Sequence, residues 1–162
     1  MSVKSVCRDV EPFLRGLARE LPGVFPRLAR RPPAARPVRA SGRQPSPERL
    51  ARAKELISGR AAHWAARLGV GYGRVSVKAQ RTLWGSCSLR GNLNFNWRLA
   101  DAPLETLDYV VIHELCHLRE MNHSRRFWAH VEAACPDYRQ RRRWLRLNGA
   151  ALMAGEPGAA NG

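Results

Sequence analysis

From Pro103 to Leu118 the chain carries its most regular apolar pattern, and two histidines are built into it. Leu104, Leu107, Val111, Leu115 and Leu118 recur at three- and four-residue steps, the spacing of a helix with one apolar stripe. Pro103 suits the first turn, and Asp101, Glu105 and Asp108 lie near the positive end of the helix dipole. Such a helix has to be covered by the rest of the domain, so whatever chemistry it carries sits beside the core. The pattern breaks at Asn122-His123-Ser124. Ser124 is a good N-cap for a further helix, Arg125–Ala134, which Pro136 ends. A last helix is expected from Tyr138 to about Leu147, with a frayed tail from Gly149 onward.

Within the central helix, His113-Glu114-Leu115-Cys116-His117 is an HExxH pattern. Residues four apart stand one turn above each other on a helix, so both imidazoles can reach one ion. Glu114 lies about 100° round from His113, close enough to address a water on that ion without ligating it. A catalytic zinc takes three protein ligands and keeps a fourth position open for water, whose pKa it lowers toward about 7. His123 supplies a third imidazole after a minimal excursion of the chain. The spacing equals that of the metzincin pattern HExxHxxGxxH, but Glu120 stands where those enzymes have glycine, and no Met-turn follows, since Met153 lies in the tail. Glu120 is the rival third ligand, because HExxH enzymes can use a carboxylate instead. His63 and His130 have no comparable neighbours in the sequence.

Upstream, Glu48–Leu68 has Leu50, Ala53, Leu56, Ile57, Ala61, Trp64 and Leu68 at helical spacing, and Gly69, Gly71 and Gly73 end it. Arg74–Thr82 and Asn92–Trp97 alternate apolar and polar residues as half-buried strands do, and Arg90-Gly91 between them suits a hairpin turn. Taken alone, Trp84-Gly85-Ser86-Cys87 says only that a Gly-Ser pair interrupts a strand. The asparagines of NLNFNW form one face, either solvated or turned toward a site. Asn94, Asn96 and Asn122 are candidates to orient the ligand imidazoles.

The first 47 residues are of another kind. Repeated proline removes backbone donors and the apolar content is low, so 1–47 reads as a disordered Pro/Arg-rich tail with a possible short helix near Val10–Leu21. Residues 48–148 form the expected domain and 149–162 a flexible C-terminal tail. The net charge of +15 is split between tail and domain, with ten basic and three acidic side chains in 1–47. A field of that sign attracts nucleic acid or nucleotides. Yet 25 of the 28 basic residues are arginine, which reads as a bias of the whole chain, and only RQRRRW at Arg139–Trp144 interleaves charge with an aromatic. No apolar run is long enough for a membrane span or a signal-peptide core. Four cysteines at no paired metal spacing fit a reduced, cytoplasmic protein.

Several motifs in order now point beyond chemistry to a family. HELCHLREMNHSRRFW (His113–Trp128), TLWGSCS (Thr82–Ser88), NLNFNWRL (Asn92–Leu99), YVVIHEL (Tyr109–Leu115) and CPDYRQRRRWL (Cys135–Leu145) together closely resemble the YgjP-like metallopeptidase family. The resemblance covers roughly residues 74–146. It implies an α+β fold with a zincin-like core, in which a small antiparallel sheet packs on the metal-binding helix. It further implies one Zn2+ per chain on His113, His117 and His123, with Glu114 as catalytic base, and so prefers His123 to Glu120. Trp84, Gly85, Ser86 and Cys87 would line the substrate cleft, with Asn96 grouped among the substrate-binding residues. Family members often carry β-structure ahead of the core, where this chain has its Pro/Arg tail and one helix.

The expected function is a zinc-dependent hydrolase acting on peptides or proteins. Some relatives are described as nucleotide pyrophosphatases acting on UTP, so a nucleotide substrate is the first alternative. A DNA-associated protease of the similar SprT-like kind, recruited through the basic surface, is the second. A zinc ion serving only as a structural staple is the non-enzymatic reading.

Overall fold

The computed structural model describes residues 44–80 and 82–154. Residues 1–43 of the expected 1–47 tail, with its short helix, and the last eight residues of the chain lie outside them.

The first helix, α1, spans Pro47–Leu68. The Ser46 hydroxyl caps it by accepting from the Arg49 N–H, Pro47 occupies the first turn, and Gly69 closes its C terminus. Its buried face is Ala53, Ile57, Ala61 and Ala65, mostly small residues at four-residue steps, which let another helix approach closely. That partner is α2, Leu104–Cys116, the helix of the HExxH pattern. Arg60 clamps the pair by donating from Nε and Nη2 to the two carboxylate oxygens of Asp108, both at 2.6 Å.

The central helix is more deeply enclosed than its stripe suggested. Ten of its thirteen residues are buried, including Tyr109 to Cys116 without a break. Leu104, expected on the apolar face, is 47% exposed, and Pro103 stands at the cap position, one residue before the helix. Helix α1, the sheet and the two C-terminal helices each pack against α2, so no side of its second half is left to solvent.

The sheet has three strands, β1 (Val75–Lys78), β2 (Gly85–Cys87) and β3 (Leu93–Asn96), in the order β1-β3-β2. It is mixed, which corrects the expected antiparallel sheet. Strand β1 pairs parallel with β3, Val75 beside Leu93 and Lys78 beside Asn96. The hairpin is made by β2 and β3, with Ser86 opposite Asn94. Gly91, at φ +73°, completes its turn, where a side chain would be strained. The hairpin partner is thus the Gly-Ser-Cys segment, and the longer strand expected over Arg74–Thr82 shrinks to four residues on the far side of β3.

Beyond β3 the chain turns through a 3-10 helix, Trp97–Asp101. Helix α3 is Arg125–Ala134, capped by the Ser124 hydroxyl on the Phe127 N–H, as expected. Helix α4 is Tyr138–Ala154. It does not fray at Gly149. That residue is buried inside the helix, where a Cβ would come within 3.3 Å of the Trp84 ring, so the missing side chain lets α4 settle on the indole. Leu145 and Leu152 of the same helix are buried in the core.

Candidate metal centre

The second half of α2 brings His113 and His117 to one face, and the loop into α3 returns His123 to meet them. The ligand nitrogens of the three imidazoles all lie within 4.8 Å of one another. His113 Nε2 and His123 Nε2 are 3.1 Å apart. Ring centres are separated by 4.8–5.0 Å, with His117 nearly perpendicular to the other two. Phe127, in the first turn of α3, forms the floor. Its ring centre is 4.9, 4.5 and 4.7 Å from those of His113, His117 and His123, and it stacks on His117. The sequence reading missed Phe127. Its position three residues after the Ser124 cap, on the inner face of a new helix, is the signal that could have found it.

Burial sets the protonation of this cluster. His113 is held well below the usual imidazole pKa, by burial first and then by the positive charge of His117, His123 and Arg142. Burial also depresses His117 to about 4, and His123 to about 4 with help from Arg142. Neutral imidazole is the form that binds metal. His117 Nδ1 donates to the Glu120 carbonyl at 3.1 Å, which fixes the proton there and leaves Nε2 as the lone-pair nitrogen. Glu120 therefore serves the cluster through its backbone. Its carboxylate turns toward Arg126, 3.9 Å away, and is not one of the converging groups.

Whether these residues fit an ion can be judged from the nitrogens themselves. Zinc–imidazole bonds of about 2.1 Å place tetrahedral nitrogens roughly 3.4 Å apart. Two lone pairs on neutral rings at 3.1 Å repel unless a proton or a cation lies between them. Three hard-to-protonate imidazoles at this spacing suit a divalent ion such as zinc.

Glu114 lies on the same helix, 1% exposed, and its Oε2 has no hydrogen-bond partner among the described residues. Burial pushes its pKa up to about 8. Gly85 of β2 is the reason the carboxylate fits. A Cβ there would lie 2.7 Å from both the Cγ and the Oε1 of Glu114. Of the other residues expected around a cleft, Ser86 accepts from the Asn94 side chain across the hairpin at 3.3 Å. Cys87 is a buried thiol pushed up to about 12 by desolvation and by Glu114. Trp84 is a correction: at 1% exposure, packed on α4, it belongs to the core and offers no face to a cleft. Asn96 is likewise fully buried. It donates to the carbonyls of Gln80 and Leu83 and accepts from the Arg98 N–H, so it joins β3 to the 3-10 helix and to the loop before β2. Asn122 caps locally, accepting from the Ser124 N–H, and Asn94 donates to Ser86 across the hairpin. His63 is exposed on α1, and His130 lies on α3 outside the cluster.

The family model described as the YgjP-like metallopeptidase domain matches residues 48–148. The chain belongs to that family. The match spans all the elements from α1 through most of α4, and with them the three histidines and Glu114. Among solved structures, the metallopeptidase zymogen abylysin of Pyrococcus abyssi is similar at 24% identity and a TM-score of 0.48, over 55% of this chain and 87% of that one. No curated protein matches the chain. No helix among the described residues is long and apolar enough to cross a membrane.

The protonation state of the cluster gives a first prediction. Each histidine has a folded pKa below its unfolded value of 6.5, so the stability it contributes is present above pH 6.5 and lost as pH falls toward about 4. In the metal-free Glu114→Gln variant, where no raised carboxyl opposes the trend, the domain is expected to melt at progressively lower temperature across that window. Thermal unfolding in chelator at pH 7.5, 6.0 and 5.0 checks it, and a melting temperature independent of pH would contradict the burial described here.

Proposed function

We propose that this member of the YgjP-like metallopeptidase family is a zinc-dependent peptide hydrolase, with His113, His117 and His123 holding one ion and Glu114 acting as general base. The observation that carries the reading is the convergence of three neutral imidazoles beside a buried carboxylate that lacks a hydrogen-bond partner among the described residues. Zinc, when bound, supplies an acidified water and polarises a scissile carbonyl. Glu114 accepts the proton of the attacking water and returns it to the leaving amine. The charge of a neighbouring cation draws its carboxyl back from about 8 toward the ionised form, so the same burial that raises its basicity makes it an effective base. Phe127 and the enclosing helices hold the imidazoles rigid and exclude bulk water from their rear.

The peptide reading gains support from the sheet. Strand order β1-β3-β2 leaves β2 at an edge, and β2 lies against the metal helix with Gly85 touching Glu114. An extended peptide can add to such an edge through its backbone and pass its carbonyl before the carboxylate.

Metal content and hydrolysis test the reading together. Wild type is expected to carry about one zinc per chain, lost in His117→Ala and His123→Ala. It is also expected to cleave unstructured protein substrates only when loaded. A protein that holds no zinc when supplied with it, or a loaded protein that cleaves no peptide, would overturn the proposal. Pyrophosphate release from UTP in the same samples decides the nucleotide alternative, which falls if Glu114→Gln releases as much as wild type.

A further inference from the structure

Arg142, on α4, is set apart from the other arginines that lie over a ring without an ion pair, Arg67 and Arg98, by its place beside the imidazole cluster. Arg49, Arg60, Arg126, Arg139 and Arg141 each face a carboxylate, on Asp101, Asp108, Glu120, Glu132 and Asp137 respectively. Arg142 has no ion-pair partner among the described residues. It is half-buried, with its guanidinium carbon 5.3 Å from the centre of the Trp128 ring. Trp128 in turn stacks on His123, 5.8 Å between centres at 28°, and on Tyr138, 5.3 Å at 22°. Tyr138 and Arg142 stand four residues apart, on one face of α4, so the helix presents ring and cation together.

A fixed cation thus sits one aromatic ring away from the third ligand, and its field reaches His113, His123 and Tyr109. Stacking on an indole offsets part of the cost of withdrawing a guanidinium from water, and it orients the planar fork. It supplies no counter-ion. A cation held against a ring beside the three imidazoles, lacking an acid of its own, is complementary to a ligand that brings one. The fork geometry matches a carboxylate in a bidentate pair.

We propose that Arg142 is a specificity determinant of the metal centre, receiving a substrate carboxylate next to the scissile bond. The proposal rests on the metallopeptidase reading above and names its substrate class: peptides with an acidic side chain or a free C terminus at that position. Both sources offer the same group, and the separation of about one ring from His123 is within the reach of a neighbouring residue.

The test uses zinc-loaded full chain and two metal-directed probes, the monohydroxamate of succinic acid and the corresponding amide. Titration calorimetry is expected to find the acid binding about tenfold tighter than the amide in wild type, as a charge-assisted pair affords. Arg142→Met should erase that preference while leaving the amide's affinity unchanged, and Arg142→Lys should keep part of it. Equal binding of the two probes to wild type would overturn the role of Arg142 while leaving the metal centre standing. So would a uniform weakening of both probes in Arg142→Met, which would mark a structural role. Binding of neither probe to loaded wild type would instead overturn the hydrolase reading, and this proposal with it. A peptide with an internal aspartate and an amidated end, compared in the Glu114→Gln background with an apolar peptide ending in a free carboxylate, assigns the source. If neither binds more tightly to the Arg142 protein than to Arg142→Met, peptides are not the ligand and the proposal fails.

Discussion

Glu114→Gln is expected to abolish peptide hydrolysis, retain the ion and make the metal-free domain more stable at neutral and alkaline pH. Loss of a general base costs about 10²–10⁴-fold in rate. The stability gain follows from the sign of the carboxyl's shift. Its folded pKa, about 8, lies above the unfolded 4.5, so folding favours the protonated acid. Below pH 4.5 the group costs nothing, and as pH rises through 8 the folded state must either stay protonated or carry a buried, unpaired charge. Glutamine is neutral throughout. The gain near pH 8 is on the order of 2–4 kcal/mol. Urea unfolding of chelator-treated wild type and variant at pH 5 and pH 8 measures it. Matching curves at pH 8 would mean that the carboxylate is solvated in the metal-free protein. Full hydrolytic activity in the variant would remove Glu114 from the chemistry.

The second large effect is expected at Gly85. An alanine methyl there would sit 2.7 Å from the Cγ and Oε1 of Glu114, closer than carbon atoms approach without something moving. The carboxylate is the side that can yield, since Gly85 lies in a hydrogen-bonded strand opposite Phe95. A catalytic group misplaced by about 1 Å loses around 10²-fold in rate. Gly85→Ala is therefore expected to lower kcat about 10²-fold with the zinc content unchanged. Gly71→Ala is the matched control, because no atom lies within 4 Å of its would-be Cβ. If Gly85→Ala retained normal kcat, Glu114 would have latitude that the packing does not suggest. If it lost its zinc, the strand would be supporting the imidazoles as well.

The parts of this molecule that were legible in its sequence are those written locally. Helix α3 and its Ser124 cap, the start of α4 at Tyr138 and the body of α1 follow from periodicity and capping residues within a few positions. The three histidines were legible for the same reason: four-residue spacing on a helix fixes two of them, and the third comes back after one short loop. What escaped depends on contacts between distant segments. Alternation marks β1 and β3 as strands, but nothing within either segment says that they run parallel or that β2 takes the hairpin position. Gly149 looks like a helix terminator until Trp84, sixty-five residues earlier, is placed against it. Asn96 looks like a polar face of a strand, yet it is buried because two loop carbonyls need its donors. The same long-range packing moved Trp84 from the cleft to the core, while Gly85 beside it touches Glu114.

The bond from His117 Nδ1 to the Glu120 carbonyl carries one more consequence. With its proton parked on the outward nitrogen, and all three rings already neutral at physiological pH, the imidazoles have nothing to expel when an ion arrives, and the raised Glu114 carboxyl is the group beside them with a proton to give up. Cysteine-rich sites must release thiol protons to take up zinc, so their affinity climbs with pH. Here the three ligands give up no proton near neutrality, and capture is coupled to the ionisation of Glu114 instead. From pH 7 to 8 the rise in apparent affinity, and the dependence of the binding heat on the ionisation enthalpy of the buffer, should come from the Glu114 carboxyl and the acidified water rather than from the ligands, and the Glu114 share should vanish in Glu114→Gln. The fold has made deprotonation of the ligands part of becoming native, and the proton that loading does release is that of the base.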